Sequence, residues 1–138
     1  MAEVGDLNSA RRRRPLVLDA CLQVDPQRHA ARSARHWVMS TLGDAGIGGA
    51  VNQAVELATA ELVGQALLRS PDQITVKVSF DGHTVRVEVV DDAQDTSDPS
   101  SPAVAILDAL AGAWGTIDGP DGRRTAWVEV ETGDEWWE

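Results

Sequence analysis

Two consecutive segments that alternate between apolar and polar residues constrain the fold of this chain more than any other feature. The segments Ile74–Phe80 and Thr84–Val90 are rich in β-branched side chains, which favour β-strands because they pack well on a pleated surface. Asp81-Gly82 lies between them and is typical of a tight hairpin turn. The sequence therefore predicts an antiparallel pair of strands with one face turned toward a core.

The rest of the chain supplies helices and further strands around this hairpin, as the spacing of its apolar residues indicates. The predicted additional elements are strands over 16–24 and 124–131 and helices over 26–42, 51–70 and 102–113. The resulting order, β-α-α-β-β-α-β, predicts an α+β fold. We expect a two-layer α/β sandwich, in which a mixed, mostly antiparallel sheet has its helices on one face.

Local signals give the expected boundaries and exposures. Asp25 followed by Pro26 is typical of a helix start, with the aspartate as the cap and the proline as the first helical residue. Gly115 and Gly119 are expected to break the chain between the third helix and the last strand. Cys21 falls on the second face of the first strand, and we expect a half-buried residue rather than a reactive thiol.

The charge of the chain is strongly asymmetric. Its 138 residues carry a formal net charge of −10, which divides into +3 over residues 1–36 and −13 over residues 37–138. Because nucleic acids require a positive binding face, they are disfavoured as partners of the main body.

The single cysteine excludes an internal disulfide framework and a multi-cysteine zinc site. We find no secretory signal and no apolar run of membrane length, so a cytoplasmic location is expected.

The length is that of one domain, which we expect to be flanked by two tails. Residues 1–14 are predicted to form a disordered basic arm that ends in four arginines, Arg11–Arg14. This arm is either a solvated tail or a docking segment for an acidic partner or nucleic acid. Residues 15–132 form the predicted domain. In the tail over 133–138, Trp136 and Trp137 are expected to dock on the domain or on a partner.

Five segments resemble, in the right order, the motifs of one known family. Glu61–Ser70 reads ELVGQALLRS, which is similar to the ELVTNAxxHS helix of the GHKL, or histidine-kinase-like, ATPase superfamily. The other four segments are an opening helix over 31–38, a strand over 87–91, a helix over 107–115 that ends in Trp-Gly, and a closing strand over 122–129. The resemblance covers about residues 16–131. It is nearest to the anti-sigma regulatory factor and serine-protein-kinase branch, which is abundant in actinobacteria.

The resemblance implies a site for ATP and Mg²⁺. Asp91 matches the family aspartate that accepts a hydrogen bond from the adenine amino group, and Glu61 matches the glutamate that acts as a base toward water or a substrate serine. Gln65 stands where the family has the asparagine that binds Mg²⁺. The resemblance also places nucleotide contacts at Ala93, Val104 and Thr125. The implied partners are a sigma factor or an anti-sigma antagonist, and a homodimer is a further implication.

Several positions depart from the family pattern where the phosphates would bind. Gln65 displaces its carbonyl by one methylene, on the order of 1.5 Å, although Mg²⁺ demands tight octahedral geometry. The segment 101–104 reads SPAV in place of a glycine box, roughly GRGL, and Pro102 removes a backbone donor. Arg69 replaces the family histidine. The polar loop over 91–101 contains Asp91, Asp92, Asp95 and Asp98 but no lysine or arginine, which makes it unsuited to close over a triphosphate.

These departures leave two functions of different classes open. The first is a regulatory binding protein with a degenerate ATP site, for which Arg28, Arg32 and Arg35 are candidate contacts with an acidic partner. The same arginines could equally form a solvated helix face. The second is an ATP- and Mg²⁺-dependent serine kinase, in which Asp91 would hold adenine and Glu61 would be the base. Nucleic-acid binding through the basic arm is a third and less favoured interpretation.

Overall fold

The computed structural model describes residues 15–133, in which three helices lie beside one five-stranded sheet. The basic arm and the Trp136-Trp137 tail lie outside the described residues. In chain order the elements are β1 (Leu18–Val24), α1 (Ala30–Asp44), α2 (Gly49–Leu68), β2 (Ile74–Phe80), β3 (Thr84–Asp91), α3 (Ser101–Leu110), β4 (Ala113–Asp118) and β5 (Arg124–Glu131).

The hairpin predicted from alternation forms the centre of the sheet. The strand order is β1-β2-β3-β5-β4, and each neighbouring pair is antiparallel. Val76 lies opposite Val89, and Val78 opposite Val87, and all four valines are fully buried. Helix α2 packs on β3 and β5, with α1 and α3 on either side of it. The predicted two-layer α+β fold with helices on one face is therefore confirmed.

One strand is missing from the sequence-based prediction. Residues 113–118, expected as the end of a helix followed by a glycine break, form the edge strand β4. Helix α3 ends at Leu110, and the Gly112 N–H donates to the carbonyl of Glu129 (2.9 Å) on β5. Gly115 does not break the chain but lies within β4, where a Cβ would come within 3.1 Å of the Trp127 ring.

The predicted start of the first helix is wrong by four residues. The Gln27 N–H donates to the carbonyl of Asp25 (2.7 Å), and the Ala30 N–H donates to the carbonyl of Gln27 (2.9 Å). These bonds form a turn, so α1 begins only at Ala30, with His29 at the cap position and no side-chain cap. The spacing of apolar residues predicts which face of the helix is buried, but it does not show at which residue the first helical turn forms.

The prediction for Cys21 is also wrong, because this residue is exposed. Cys21 lies opposite Lys77 in the β1–β2 register, on the sheet face that the helices do not cover. The predicted alternation holds, but without helices over this face the side chain stays in solvent. Among residues 15–133 we find no helix with both the length and the apolar character needed to span a membrane.

Candidate functional site

A cavity of about 220 Å³ lies between the end of α2, the start of α3 and the last two strands. The loop over 92–100, which joins β3 to α3, forms its rim. Apolar side chains from α2, α3, β4 and β5 make its floor: Leu62, Ala66, Leu107, Trp114 and Ala126. Charged and polar side chains make the walls: Gln65, Arg69, Asp91, Asp95, Asp98 and Arg124.

Asp91, the last residue of β3, has both carboxylate oxygens engaged within the chain. Its Oδ2 accepts a hydrogen bond from the guanidinium of Arg69, the residue that directly follows α2. Its Oδ1 accepts the N–H of Ala93 at 2.9 Å. The exposed fractions of the two ion-paired side chains are 1% for Asp91 and 9% for Arg69. A buried carboxylate of this kind requires such partners, because an isolated buried charge is strongly unfavourable.

Arg69 also connects α2 to the rim of the cavity. Its Nη1 donates to the carbonyl of Asp95 at 3.0 Å, so one guanidinium binds the end of β3 and the following loop together. The planar fork of arginine makes such simultaneous bonds possible, whereas a lysine ammonium would act as a point charge.

Arg124 holds the same loop from the opposite side. It is the first residue of β5 and lies opposite Asp91 in the β3–β5 register. Its Nη1 donates to the carbonyl of Ser97 (2.7 Å), its Nη2 to the carbonyl of Thr96 (2.9 Å) and its Nε to Oδ1 of Asp118 (2.7 Å). The bond to Asp118 raises the pKa of Arg124 above its ordinary value and lowers the pKa of Asp118.

Gln65 is engaged at both ends of its amide. Its Nε2 donates to Oε2 of Glu61, one turn earlier on α2, at 3.3 Å. Its Oε1 accepts the N–H of Ser100 at 3.3 Å, and Ser100 in turn caps α3 by accepting the N–H of Ala103. Gln65 therefore attaches α2 to the start of α3. Across residues 15–133 there is no group of three or more His, Cys, Asp or Glu side chains that could hold a metal ion.

Two loop aspartates are fixed by local hydrogen bonds. Asp92 Oδ1 accepts the N–H groups of Gln73 (3.0 Å) and Asp72 (2.8 Å), and these bonds, chiefly that of Gln73, lower the pKa of Asp92. Asp95 Oδ1 accepts both the hydroxyl and the N–H of Ser97, and these bonds, chiefly that of the hydroxyl, lower the pKa of Asp95. The loop is thus bonded along its length to its own side chains, to the α2–β2 connection and to two arginines.

A second surface, the exposed side of α1, is basic. A shallow hollow of about 240 Å³ is lined there by Arg32, Arg35, His36 and Met39. Arg35 donates to the nearly buried Glu56 of α2 at 3.3 Å, whereas Arg32 and the preceding Arg28 are exposed. Asn52 of α2 donates to the carbonyls of Met39 (3.1 Å) and Ile47 (2.9 Å), which fixes the α1–α2 connection beneath this surface.

The structure brings some of the sequence-predicted site residues together and leaves others apart. Gln65 and Asp91 line the cavity, and Glu61 contacts Gln65 from outside the lining. Three predicted nucleotide contacts are absent from the lining: Ala93, Val104 and Thr125. Ala93 is buried beside Asp91. Arg124 and Ala126 line the cavity, so strand alternation turns Thr125 toward the opposite face of the sheet.

The two arginines that dominate the site, Arg69 and Arg124, are not among the site residues predicted from the sequence. The family resemblance identifies Arg69 only as a replacement for a histidine, and it gives Arg124 no role. A signal for Arg124 exists in the sequence. The inward positions of β5 alternate as Arg124, Ala126, Val128 and Val130. A charged residue in phase with core valines is expected to find an internal partner.

Comparisons with known proteins identify the fold. No protein-family profile matches the chain, and no curated protein matches it. Among solved structures, it is similar to the RsbU and RsbW domains of Rv1364c from Mycobacterium tuberculosis, with a TM-score of 0.66 and 21% identity over 83% of this chain. This chain spans 32% of that one. It is also similar to a chain of the SiaB-SiaC complex from Pseudomonas aeruginosa, with a TM-score of 0.63 and 12% identity over 94% of this chain and 100% of that chain.

At these identities the likeness concerns the fold. The chain shares the fold of these two solved structures, which agrees with the two-layer α+β fold predicted from the sequence.

Proposed function

We propose that this chain is a regulatory protein-binding domain of the anti-sigma type with an impaired ATP site, and that it acts by binding a sigma factor or an anti-sigma antagonist. The observation that carries the proposal is the ion pair of Asp91 with Arg69. The carboxylate that would accept the adenine amino group already has an internal donor on each oxygen. An incoming adenine would have to replace a charge-assisted bond by a neutral one, and charge-assisted bonds are roughly twice as strong.

The residues present do not fit ATP and Mg²⁺ in other respects. The cavity of about 220 Å³ is smaller than the roughly 300–1,000 Å³ of typical small-molecule sites. The Gln65 carbonyl, which would be the Mg²⁺ ligand, accepts the Ser100 N–H instead. Pro102 lies in the first turn of α3, where it removes one of the backbone donors that a helix N-terminus offers to phosphate.

The basic surface of α1 supports a protein partner. Arg28 and Arg32 are exposed and belong to the first 36 residues, which carry a net charge of +3 in a chain whose overall charge is −10. Such arginines suit the carboxylates of an acidic partner, because the guanidinium fork can bind them bidentately. The similarity to a chain that was solved in the SiaB-SiaC complex is consistent with a domain that associates with another protein.

Isothermal titration of the full chain with Mg-ATP tests the proposal. We expect no binding at millimolar nucleotide, because the adenine acceptor and the amide ligand are both engaged. Micromolar binding that is lost in Asp91→Asn but kept in Asp92→Asn would overturn the impaired site. Asp92 is the matched control, since it is the neighbouring carboxylate and binds the N–H groups of Asp72 and Gln73 outside the cavity lining.

A serine protein kinase is the second candidate, and Glu61 is the observation that favours it. Glu61 keeps the position of the family base on α2, and it is half-buried beside Gln65. If this function holds, the protein transfers phosphate from ATP to a serine of a co-purifying antagonist, and Glu61→Gln abolishes the transfer. The absence of phosphoserine after incubation with Mg-ATP would exclude this candidate for the antagonist used.

A further inference from the structure

The loop over 92–100 is held closed by side chains that belong to the body of the domain. Connections between secondary-structure elements are ordinarily more mobile than the elements they join. Here three consecutive carbonyls, those of Asp95, Thr96 and Ser97, each accept a bond from a guanidinium. The donors, Arg69 and Arg124, come from the end of α2 and the start of β5, so the loop is bonded to both layers of the sandwich.

The two guanidiniums are nearly buried once the loop covers them. Arg69 and Arg124 have side-chain exposures of 9% and 6%. Buried guanidiniums need partners for their N–H groups, and no buried side-chain nitrogen or oxygen among residues 15–133 lacks a hydrogen bond. Opening the loop would remove three carbonyl acceptors at once, so the two arginines resist it together.

The charges favour the same closed arrangement. Within the loop, Asp98 contributes to the field at Arg124, and both arginines contribute to the field at Asp95. Outside the loop, Asp91 pairs with Arg69 and Asp118 pairs with Arg124. These ion pairs orient the two guanidiniums, whose remaining N–H groups bind the loop carbonyls.

We propose that Arg69 and Arg124 form an internal clamp that keeps the loop over 92–100 closed with no ligand bound. The surface made by this loop and α3 then has one conformation, which nucleotide does not switch. The inference deepens the proposed function and rests on it in one respect, namely that no nucleotide orders the loop. A partner that contacts this end of the domain would meet a pre-formed surface and would not have to order the loop on binding.

Backbone ¹⁵N relaxation of the full chain, measured without nucleotide, tests the clamp directly. The amides of Gln94, Asp95, Thr96 and Asp98 are suitable reporters because they lie in the clamped segment. We expect their order parameters to approach the value of rigid backbone, about 0.85, and to remain there when millimolar Mg-ATP is added. Order parameters below about 0.6 without nucleotide, or a rise toward the rigid value on adding Mg-ATP, would overturn the clamp.

Variants connect the rigidity to the two arginines. In Arg124→Ala we expect the loop order parameters to fall below about 0.6, while the amides of β3 and β5 keep their values and show that the sheet is intact. Arg123→Ala is the matched control, because Arg123 is the adjacent exposed arginine and its ion-pair partner is Asp121 in the same turn. The charge of Arg123 also acts on Asp92, so the comparison uses the reporter amides from Gln94 to Asp98. An unchanged loop in Arg124→Ala, or equal loosening in Arg123→Ala, would contradict the assignment.

A second variant keeps the charge but removes the fork. In Arg69→Lys one ammonium must choose between the Asp91 carboxylate and the carbonyl of Asp95, so we expect partial loosening around Asp95. Unchanged loop order parameters in Arg69→Lys would contradict the role of Arg69.

Nucleotide binding with a loop that is already rigid would overturn the proposed function but not the clamp. A flexible loop without nucleotide binding would overturn the clamp but not the proposed function.

Discussion

The cavity and the surface of α1 use arginine in opposite ways. Arg69 and Arg124 are nearly buried, and each binds a carboxylate and at least one backbone carbonyl. Arg28 and Arg32 are exposed and form no ion pair with another residue in the range 15–133. The guanidiniums at the cavity are therefore engaged by contacts within the domain, whereas those of Arg28 and Arg32 are available to a partner.

Neighbours in the sequence show the same contrast. Arg123 and Arg124 are adjacent, but strand alternation turns only Arg124 inward. The side-chain exposures are 57% and 6%, and of the two it is Arg124 that donates hydrogen bonds to the loop carbonyls. The role of an arginine here follows from the face on which it lies and not from the local charge density of the sequence.

The largest expected effect on stability is that of Arg69→Met. This substitution leaves Asp91 as a buried charge without its partner, and we expect it to lower the free energy of unfolding by about 3–5 kcal/mol. Urea denaturation measures the loss. The double variant Arg69→Met/Asp91→Asn should recover part of it, because the stranded charge is removed as well. An Arg69→Met protein within about 0.5 kcal/mol of the parent would show that the ion pair is not a structural element.

Removing the second cavity arginine is expected to have a smaller effect. Arg124→Ala loses a bond to a carboxylate and two to carbonyls, but Asp118 has a side-chain exposure of 58% and is left in water. We expect a loss of about 1.5–3 kcal/mol in the free energy of unfolding. Arg123→Ala should change it by less than about 0.5 kcal/mol. Equal losses in the two variants would show that the inward-facing Arg124 and the outward-facing Arg123 do not differ in their contribution to stability.

The sequence predicts the fold well where one local pattern determines the structure. The hairpin of Ile74–Phe80 and Thr84–Val90 follows from alternation and an Asp-Gly turn, and it is confirmed. Strand β4 was missed because Trp114 and Ile117 stand among glycines that ordinarily mark loops. Its strand conformation comes from pairing with β5, a contact between segments that no local pattern contains.

The sequence predicts some of the residues that belong to the site, but not which of them contact one another. The resemblance places Gln65 and Asp91 in one site, and both line the cavity. It does not contain the information that Arg69 pairs with Asp91, since these residues are 22 positions apart and the pairing depends on how α2 ends over β3. The side-chain partners of a titratable residue belong to the tertiary structure, so the sequence alone could not tell an engaged carboxylate from a free one.

The pair of Asp118 and Arg124 should make a small contribution that depends on pH. The bond to Arg124 lowers the pKa of Asp118 below its ordinary value of 3.8. The contribution is therefore complete above that value and is lost as the pH falls through the lowered folded pKa. Because Asp118 is exposed, we expect Asp118→Asn to cost about 0.2–1 kcal/mol at neutral pH. The stability difference between parent and variant should shrink below about pH 4. A difference that is constant down to strongly acidic pH would rule out this contribution.

Arg28, which precedes α1, and Arg32 on α1 should have the smallest effect on stability and a large effect on association. Arg28→Ala and Arg32→Ala each remove an exposed charge, so each should change the free energy of unfolding by less than about 0.5 kcal/mol. Arg35 is left intact because its removal would leave the nearly buried Glu56 without its ion-pair partner.

The charge reversal Arg28→Glu/Arg32→Glu should abolish recovery of a sigma factor or anti-sigma antagonist from extracts of the native host. Arg123→Glu, which reverses an exposed arginine away from α1, should not. If both reversals leave recovery unchanged, α1 is only a solvated helix face. If instead Arg32→Ala unfolds the domain as readily as Arg69→Met, the two regions do not differ in the way that their contacts indicate.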